Sequence, residues 1–260
     1  MESHDKLARP LVVEVVLELR FAPRHPLDDY LNALRDRIGD KYPHMEWASY
    51  SGVEFTLPNS DQLAAGELPS VAQVQEEPHF PKVRLKNSEG MVVQLGEGIV
   101  TINCTAYQGF SLFFSEAMRI LGVHGELARP EGYLRIGLRY INLAPLGDPR
   151  QMFTWALPAP TIEVPGLMLG IRESFQQLLV RFGDLGFQRI VVGAPQLVGD
   201  RQGIVLDIDH FTDLGELASP DVAALEKWVG QAHSCIWATF VGALNPDFYE
   251  ELRHDHTPSQ

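Results

Sequence analysis

The eleven residues from Leu11 to Phe21 constrain the fold of this chain more than any other segment. Every odd position in this run is apolar, whereas the charged residues Glu14, Glu18 and Arg20 all stand at even positions. Because successive side chains of a strand point to opposite faces, this alternation predicts a β-strand with one buried face. The chain is therefore expected to build a sheet that is covered on one side and polar on the other.

A second alternating segment, Tyr133 to Leu143, opens what looks like a repeat of the same element order. Each half is predicted to hold a long opening strand, a meander of strands and a closing helix, with a further helix over residues 27–42 in the first half. We expect an α+β fold, a mostly antiparallel curved sheet backed by helices, in which two β-α-β-meander-α units lie side by side as in the TATA-binding-protein-like fold. A helix-grip sheet wrapped around the last helix is the alternative. The expected halves are residues 1–128 and 129–253, with a flexible tail at 254–260.

The remaining elements follow from periodicity and from turn residues. We predict a helix from Phe110 to Leu121, followed by Gly122 as the residue that ends it. Residues 58–81, rich in proline and acidic residues, are predicted to be a long surface loop. The other predicted elements are strands at 47–57, 83–85, 91–95, 99–104, 173–182, 187–193 and 203–211, and a helix at 220–244.

Charge and composition exclude several classes of protein. The formal net charge is −13, so general binding to a phosphate backbone is disfavoured and nucleic acid is not an expected partner. The polar start of the chain lacks a signal peptide, no run of about 20 apolar residues is present, and we expect a cytoplasmic protein without a membrane segment. The two cysteines, Cys104 and Cys235, stand in apolar contexts, and we expect neither a disulfide nor a metal site from them.

Three segments taken together resemble a known family. They are residues 10–21, residues 133–142, and the run Leu206-Asp207-Ile208-Asp209 followed by a helix with His233 and Phe240. The chain resembles a sporadically distributed family of prokaryotic conserved hypothetical proteins of about this length. The resemblance implies no activity, cofactor or catalytic residue. The family's patchy distribution implies an accessory system, such as phage defence or a toxin–antitoxin module.

The charged faces of the two opening strands are the most informative candidate site. Glu14 and Glu18 on one strand have the same spacing as Arg135 and Arg139 on the other. If the two strands are neighbours, these side chains form a cross-strand ladder. Alternatively they line a polar cavity together with Arg20 and with the acidic pair described next.

Asp207 and Asp209 are separated by one residue of a predicted strand and therefore share a face, about 7 Å apart. Two such carboxylates hold Mg²⁺ or act as an acid/base pair in many proteins. An exposed acidic face, or salt bridges with the arginines, is the alternative. No second carboxylate cluster supports a metal, and we predict none.

The segment from 144 to 168 combines five prolines with large apolar side chains, among them Met152, Phe153 and Trp155. This composition is too apolar for a solvated linker. The segment is therefore predicted either to cover the protein's own core or to contact a partner.

Other motifs have ordinary structural explanations. The sequence Gly96-Glu97-Gly98 joins two predicted strands and reads as a turn. His233 lies on an apolar helix stripe, which is typical of a hydrogen-bonded core histidine. His254 and His256 lie in the polar tail.

These observations favour a non-catalytic protein-binding or assembly component without a cofactor, with a homodimer or a protein encoded nearby as its partner. An enzyme or small-ligand binder that uses a charged cavity is the first alternative. Nucleic-acid binding through the sheet face is the second.

Overall fold

The computed structural model describes residues 7–47, 53–56, 70–73, 81–155, 174–198, 201–218 and 220–254. The strands are β1 (Val12–Phe21), β2 (His44–Trp47), β3 (Val53–Thr56), β4 (Ser70–Gln73), β5 (Val83–Lys86), β6 (Met91–Gly96), β7 (Ile99–Cys104), β8 (Tyr133–Ala144), β9 (Ser174–Arg181), β10 (Phe187–Val198) and β11 (Arg201–Ala218). The α-helices are α1 (Leu27–Ile38), α2 (Phe110–Ala128), α3 (Pro149–Met152), α4 (Val222–Ala243) and α5 (Pro246–Arg253), and a 3₁₀ turn spans Gly183–Leu185.

Nine strands form one antiparallel sheet in the order β2-β5-β6-β7-β1-β8-β11-β10-β9. The two opening strands, β1 and β8, are neighbours at its centre. Outward from β1 lie β7, β6 and β5, and outward from β8 lie β11, β10 and β9, so that both halves add their strands in the same relative order. The predicted antiparallel α+β sheet backed by helices is confirmed.

The alternation in β1 places its odd residues on the covered face, as predicted. Val15, Leu17 and Leu19 are fully buried, whereas the even positions from Glu14 to Arg20 are half-buried. A register shift between Val12 and Glu14 interrupts the alternation at the start of the strand and places Val12 opposite Asn142 of β8. Helices α1, α2 and α4 pack over the covered face. Each half contributes one long closing helix, α2 or α4, so the sheet is not wrapped around a single last helix. Burial of apolar side chains between helices and sheet is the main stabilising term of this arrangement.

Helix α2 continues past the predicted end. Gly122 lies inside the helix, and His124 and Ala128 extend its buried stripe by nearly two turns. The prediction that Gly122 ends the helix is therefore wrong, because packing against the sheet outweighs the modest cost of a glycine inside a helix. The helix ends at Ala128, and the next residue, Arg129, adopts a left-handed conformation directly before Pro130.

The segment predicted as one strand over 47–57 contains parts of two sheets. Strand β2 pairs with β5 in the large sheet, whereas β3 pairs with β4 in a separate two-stranded sheet. β4 itself falls within the predicted loop at 58–81, of which residues 58–69 and 74–80 lie outside the described residues. Strands β10 and β11 extend beyond their predicted ends.

Cys104 and Cys235 are free thiols. Within the described ranges, no helix is long and apolar enough to cross a membrane.

Candidate functional site

The face of the sheet that points away from the helices carries a network of ion pairs. Arg135 on β8 donates to Glu18 on β1, and it also donates through Nη2 to Oδ2 of Asp209 on β11 at 3.0 Å. Arg189 on β10 donates to the same Asp209 oxygen at 3.1 Å. Four neighbouring strands are thus joined by Glu18, Arg135, Asp209 and Arg189. We call this set the charged ladder.

Gly137 gives Arg135 the room to reach across the sheet. In the strand register, Gly137 lies opposite Glu18 on β1 and opposite Phe211 on β11. A Cβ atom at this glycine would lie 2.6 Å from Nη1 of Arg135. The guanidinium instead occupies that space and lies 4.7 Å from the centre of the Phe211 ring.

The remaining predicted charges pair locally. Arg139 donates a bidentate pair of hydrogen bonds to the Asp207 carboxylate, through Nε at 2.8 Å and Nη2 at 2.6 Å. Glu14 accepts from the Asn103 amide at 2.7 Å, and Arg20 donates to Glu18 at 2.9 Å.

On this face of the sheet, the arginine and aspartate side chains neutralise one another's charge. Hydrogen bonds from Arg139 to the Asp207 carboxylate raise the pKa of Arg139. Burial raises the pKa of Asp209, although the nearby Arg135 and Arg189 guanidinium groups lower it in part. Both oxygens of Asp207 accept from an arginine, as does one oxygen of Asp209. Among the described residues, no cluster of three or more His, Cys, Asp or Glu side chains is placed to hold a metal ion.

The start of the predicted contact segment lies in the protein's own core. Phe153 is 1% exposed, and it forms a β-bridge with Leu244 after the last turn of α4. Met152 and Trp155 are half-buried against the same core. These three residues, named as candidates for a binding surface, thus contact the protein's own core, which is the other predicted alternative for this segment. Residues 156–168 of the segment lie outside the described residues.

An apolar cavity of about 270 Å³ lies between the sheet, α4 and the loop before α2. None of the charged residues predicted for a polar cavity lines it. Its walls come from four separate segments and comprise Leu7, Pro10, Leu11, Val12, Tyr107, Gln108, Gly109, Phe110, Tyr140, Asn142, His233, Ile236, Trp237 and Phe240. Pro10 and Gln108 are exposed and mark its mouth.

Three polar side chains in the cavity wall form a hydrogen-bonded series, which we call the Tyr–His series. The Tyr107 hydroxyl lies 3.4 Å from the Tyr140 hydroxyl, which lies 3.0 Å from Nδ1 of His233. The Phe110 ring stacks on the His233 ring at 3.7 Å between centres and 8° between planes. Burial raises the pKa of Tyr107 to about 12 and raises the pKa of Tyr140 well above its usual value, so both remain neutral phenols at physiological pH.

The sequence pointed to His233 as a core histidine but not to Tyr107, Tyr140 or Trp237 as its neighbours. No local motif links them, because they come from a loop, a strand and a helix. Arg189 of the charged ladder was not predicted as a site residue either, although alternation along the predicted strand at 187–193 could have indicated its face.

No protein-family model and no curated protein matches this chain.

Proposed function

We propose that this protein is a non-catalytic binding protein that holds a small, uncharged molecule in the apolar cavity beside the Tyr–His series. The observation that carries the proposal is the cavity itself. A concave, mostly apolar site with a few convergent polar groups is the usual form of a small-molecule site in proteins. This proposal keeps the ligand-binding alternative from the sequence but moves it from the charged face to the covered face.

The chemistry of the cavity wall favours binding over catalysis. General acid–base catalysis works best with groups whose pKa is near the working pH, and Tyr107 and Tyr140 are shifted away from it. The fourteen lining residues include no carboxylate, lysine or cysteine that would act as a nucleophile or base. His233 serves as a hydrogen-bond partner of Tyr140 in this arrangement.

A cavity-filling variant tests the proposal. Val12 is half-buried and lines the cavity, so Val12→Trp is expected to fill it; Val92→Trp, at a half-buried strand position on the other face, is the matched control. A panel of uncharged probes, comprising 2-naphthol, decahydro-2-naphthol and 1-octanol, is titrated by calorimetry. We expect at least one probe to bind the natural protein and the control but not Val12→Trp. Binding that survives in Val12→Trp, or no binding of any probe, would refute the proposal.

A second function, binding of a protein partner, is favoured by the outermost strand β9. Leu178, Leu179 and Val180 are 49%, 63% and 39% exposed on this strand, which ends the nine-stranded sheet. An edge strand with apolar side chains is a template for an added strand. Arg181 ends the strand and adds a positive charge to these apolar side chains, so the fitting partner is an extended acidic and apolar segment.

A second copy of the chain fits this edge less well. The only charged residue from Ser174 to Arg181 is Arg181 itself, so pairing of β9 with another β9 would bring no acidic side chain to Arg181. A partner with a different sequence therefore fits the edge better, which agrees with the accessory system that the family resemblance implies.

Matched variants test this second function. Leu179 and Leu112 are both 63% exposed, but Leu112 lies on α2 rather than on the edge strand. Native mass spectrometry with the proteins encoded by neighbouring genes is expected to show a complex that Leu179→Lys abolishes and Leu112→Lys retains. Equal effects of the two substitutions would exclude β9 as the docking site, and loss of a homodimer only in Leu179→Lys would identify a second copy as the occupant.

A further inference from the structure

We propose that the apolar cavity selects flat, uncharged aromatic molecules of about two fused rings that carry a single hydroxyl or carbonyl group. This inference rests on the proposed small-molecule function and specifies the class of ligand. It follows from four properties of the cavity: its volume, its aromatic walls, its lack of charge and the position of its polar end.

The volume limits the size of the ligand. A cavity of 270 Å³ corresponds to about nine water molecules at ~30 Å³ each. A molecule packed at a similar density therefore has roughly ten non-hydrogen atoms. This is the size of a bicyclic aromatic compound, whereas a nucleotide or a dinucleotide cofactor would extend out of the cavity.

Aromatic rings form much of the wall. Six of the fourteen lining residues carry an aromatic ring, namely Tyr107, Phe110, Tyr140, His233, Trp237 and Phe240. The Trp237 and Phe240 rings lie 5.7 Å apart at 27°, and Tyr107 meets Tyr140 edge-on at 83°. Ring faces and ring edges presented together favour a planar aromatic guest over a saturated one of equal size, because stacked and edge-to-face contacts add to simple burial.

Charge in the ligand is disfavoured. The lining residues include no Asp, Glu, Lys or Arg. A carboxylate or ammonium group taken into such a site would lose its hydration without gaining an opposite charge. The cavity thus differs sharply from the opposite face of the sheet, where each described acidic group of the charged ladder meets an arginine.

The polar end of the cavity accommodates either a donor or an acceptor. When Tyr140 donates to Nδ1 of His233, Tyr107 donates to Tyr140, and the Tyr107 oxygen accepts from a ligand hydroxyl. When the His233 tautomer carries a proton on Nδ1, the series reverses, and Tyr107 donates to a ligand carbonyl. The Asn142 side-chain amide donates to the Leu206 carbonyl at 3.0 Å, which leaves its amide oxygen as a further acceptor on the wall.

Four probes separate these contributions in the full-length protein. They are 2-naphthol, its saturated analogue decahydro-2-naphthol, naphthalene without the hydroxyl, and the anion 2-naphthoate. By isothermal calorimetry we expect 2-naphthol to bind about five-fold more tightly than the saturated analogue, as stacking energies imply. We expect naphthalene to bind more weakly than 2-naphthol, and 2-naphthoate not to bind measurably.

The variant Tyr107→Phe removes one hydroxyl from the Tyr–His series and leaves the Tyr140–His233 bond in place. The substitution is expected to weaken the binding of 2-naphthol by several-fold, as the loss of one hydrogen bond implies, and to leave the affinity for naphthalene unchanged. An equal loss of affinity for both probes would show that Tyr107 does not hydrogen-bond to the polar group of the ligand.

The outcomes distinguish this inference from the function on which it rests. If decahydro-2-naphthol or 2-naphthoate binds as tightly as 2-naphthol and Val12→Trp abolishes that binding, the cavity is a ligand site but the aromatic, uncharged class is wrong. If no uncharged probe binds, the proposed function itself fails.

Discussion

The Tyr30 hydroxyl on α1 lies 2.7 Å from Nδ1 of His124 on α2, and this bond joins two helices beneath the surface of the protein. His124 is fully buried, and the Phe21 ring meets it edge-on at 4.8 Å. Burial lowers the pKa of His124 to about 4 and raises the pKa of Tyr30. The imidazole is therefore neutral at physiological pH, and its tautomer sets which of the two groups donates.

Because of His124, we predict that lowering the pH destabilises the protein even at pH values above the range in which carboxylates titrate. The unfolded chain takes up a proton near pH 6.5, whereas folded His124 takes one up only near pH 4. The contribution is therefore fully present above pH 6.5 and is lost as the pH falls, by about 2 kcal/mol at pH 5. Urea unfolding at pH 7.5 and pH 5 measures it.

His124→Gln is the control for this effect, because it removes the shifted group and leaves the other titrating residues in place. We expect the variant to be less stable at pH 7.5 but to lose about 2 kcal/mol less than the natural protein between the two pH values. The same pH dependence in both proteins would show that His124 is not the group responsible.

The Arg139–Asp207 pair is expected to be coupled, whereas Arg139 and Glu18 are not. Asp207 is 7% exposed, so Arg139→Met leaves a nearly buried carboxylate without its partner. Since Arg139 itself is 39% exposed at its side chain, we expect a loss of about 2 kcal/mol, smaller than for a fully buried pair. Double-mutant cycles by chemical denaturation are expected to give coupling of about 1–3 kcal/mol with Asp207→Leu and near zero with Glu18→Gln. The opposite order would contradict the register of β1 and β8.

Phe153 is predicted to act in the core rather than in an interface. Phe153→Ala is expected to lower the free energy of unfolding by about 3–5 kcal/mol, because it empties a fully buried site. Leu178→Ala, at a half-exposed position, is expected to cost less than about 1 kcal/mol. Thermal unfolding together with size-exclusion chromatography checks both. An unchanged melting temperature for Phe153→Ala would show that this segment does not cover the core.

The two faces of β1 provide a test of strand register. Val15 is fully buried on the covered face, so Val15→Asp places a carboxylate in an apolar environment and is expected to cost several kcal/mol. Glu18→Gln, on the open face, is expected to cost far less because the amide still accepts from Arg135. Similar melting temperatures for the two variants would mean that β1 is turned the other way.

Local pattern was sufficient for much of the fold. Alternation fixed both the strand and the buried face of β1, and it identified β8 in the same way, because a period of two leaves only one choice of face. The strands predicted at 83–85 and 91–95 pair as the β5–β6 hairpin, and the Asn87 side chain caps its turn by accepting from the backbone amides of Glu89 and Met91. Such signals need only residues that are close in sequence.

Partner choice across the sheet depended on tertiary structure. The sequence indicated that Glu18 and the arginines of β8 share a face, but not that Glu18 meets Arg135 while Arg139 meets Asp207. A relative shift of two residues between β1 and β8 would exchange these partners without altering any side chain's face. Gly137 illustrates the point, since only its position opposite Glu18 reveals that it makes room for a guanidinium.

The sequence by itself determined which stretches become strands and helices and which of their faces are buried, because hydrophobic periodicity is a local property of the chain. The tertiary structure alone decided the cavity and the Tyr–His series, since Tyr107, Tyr140 and His233 stand 33 and 93 residues apart and meet only when two helices pack on the sheet. It also decided that Phe153 is core rather than surface. An apolar side chain in an irregular segment has no periodicity, and its burial depends on which distant residues reach it.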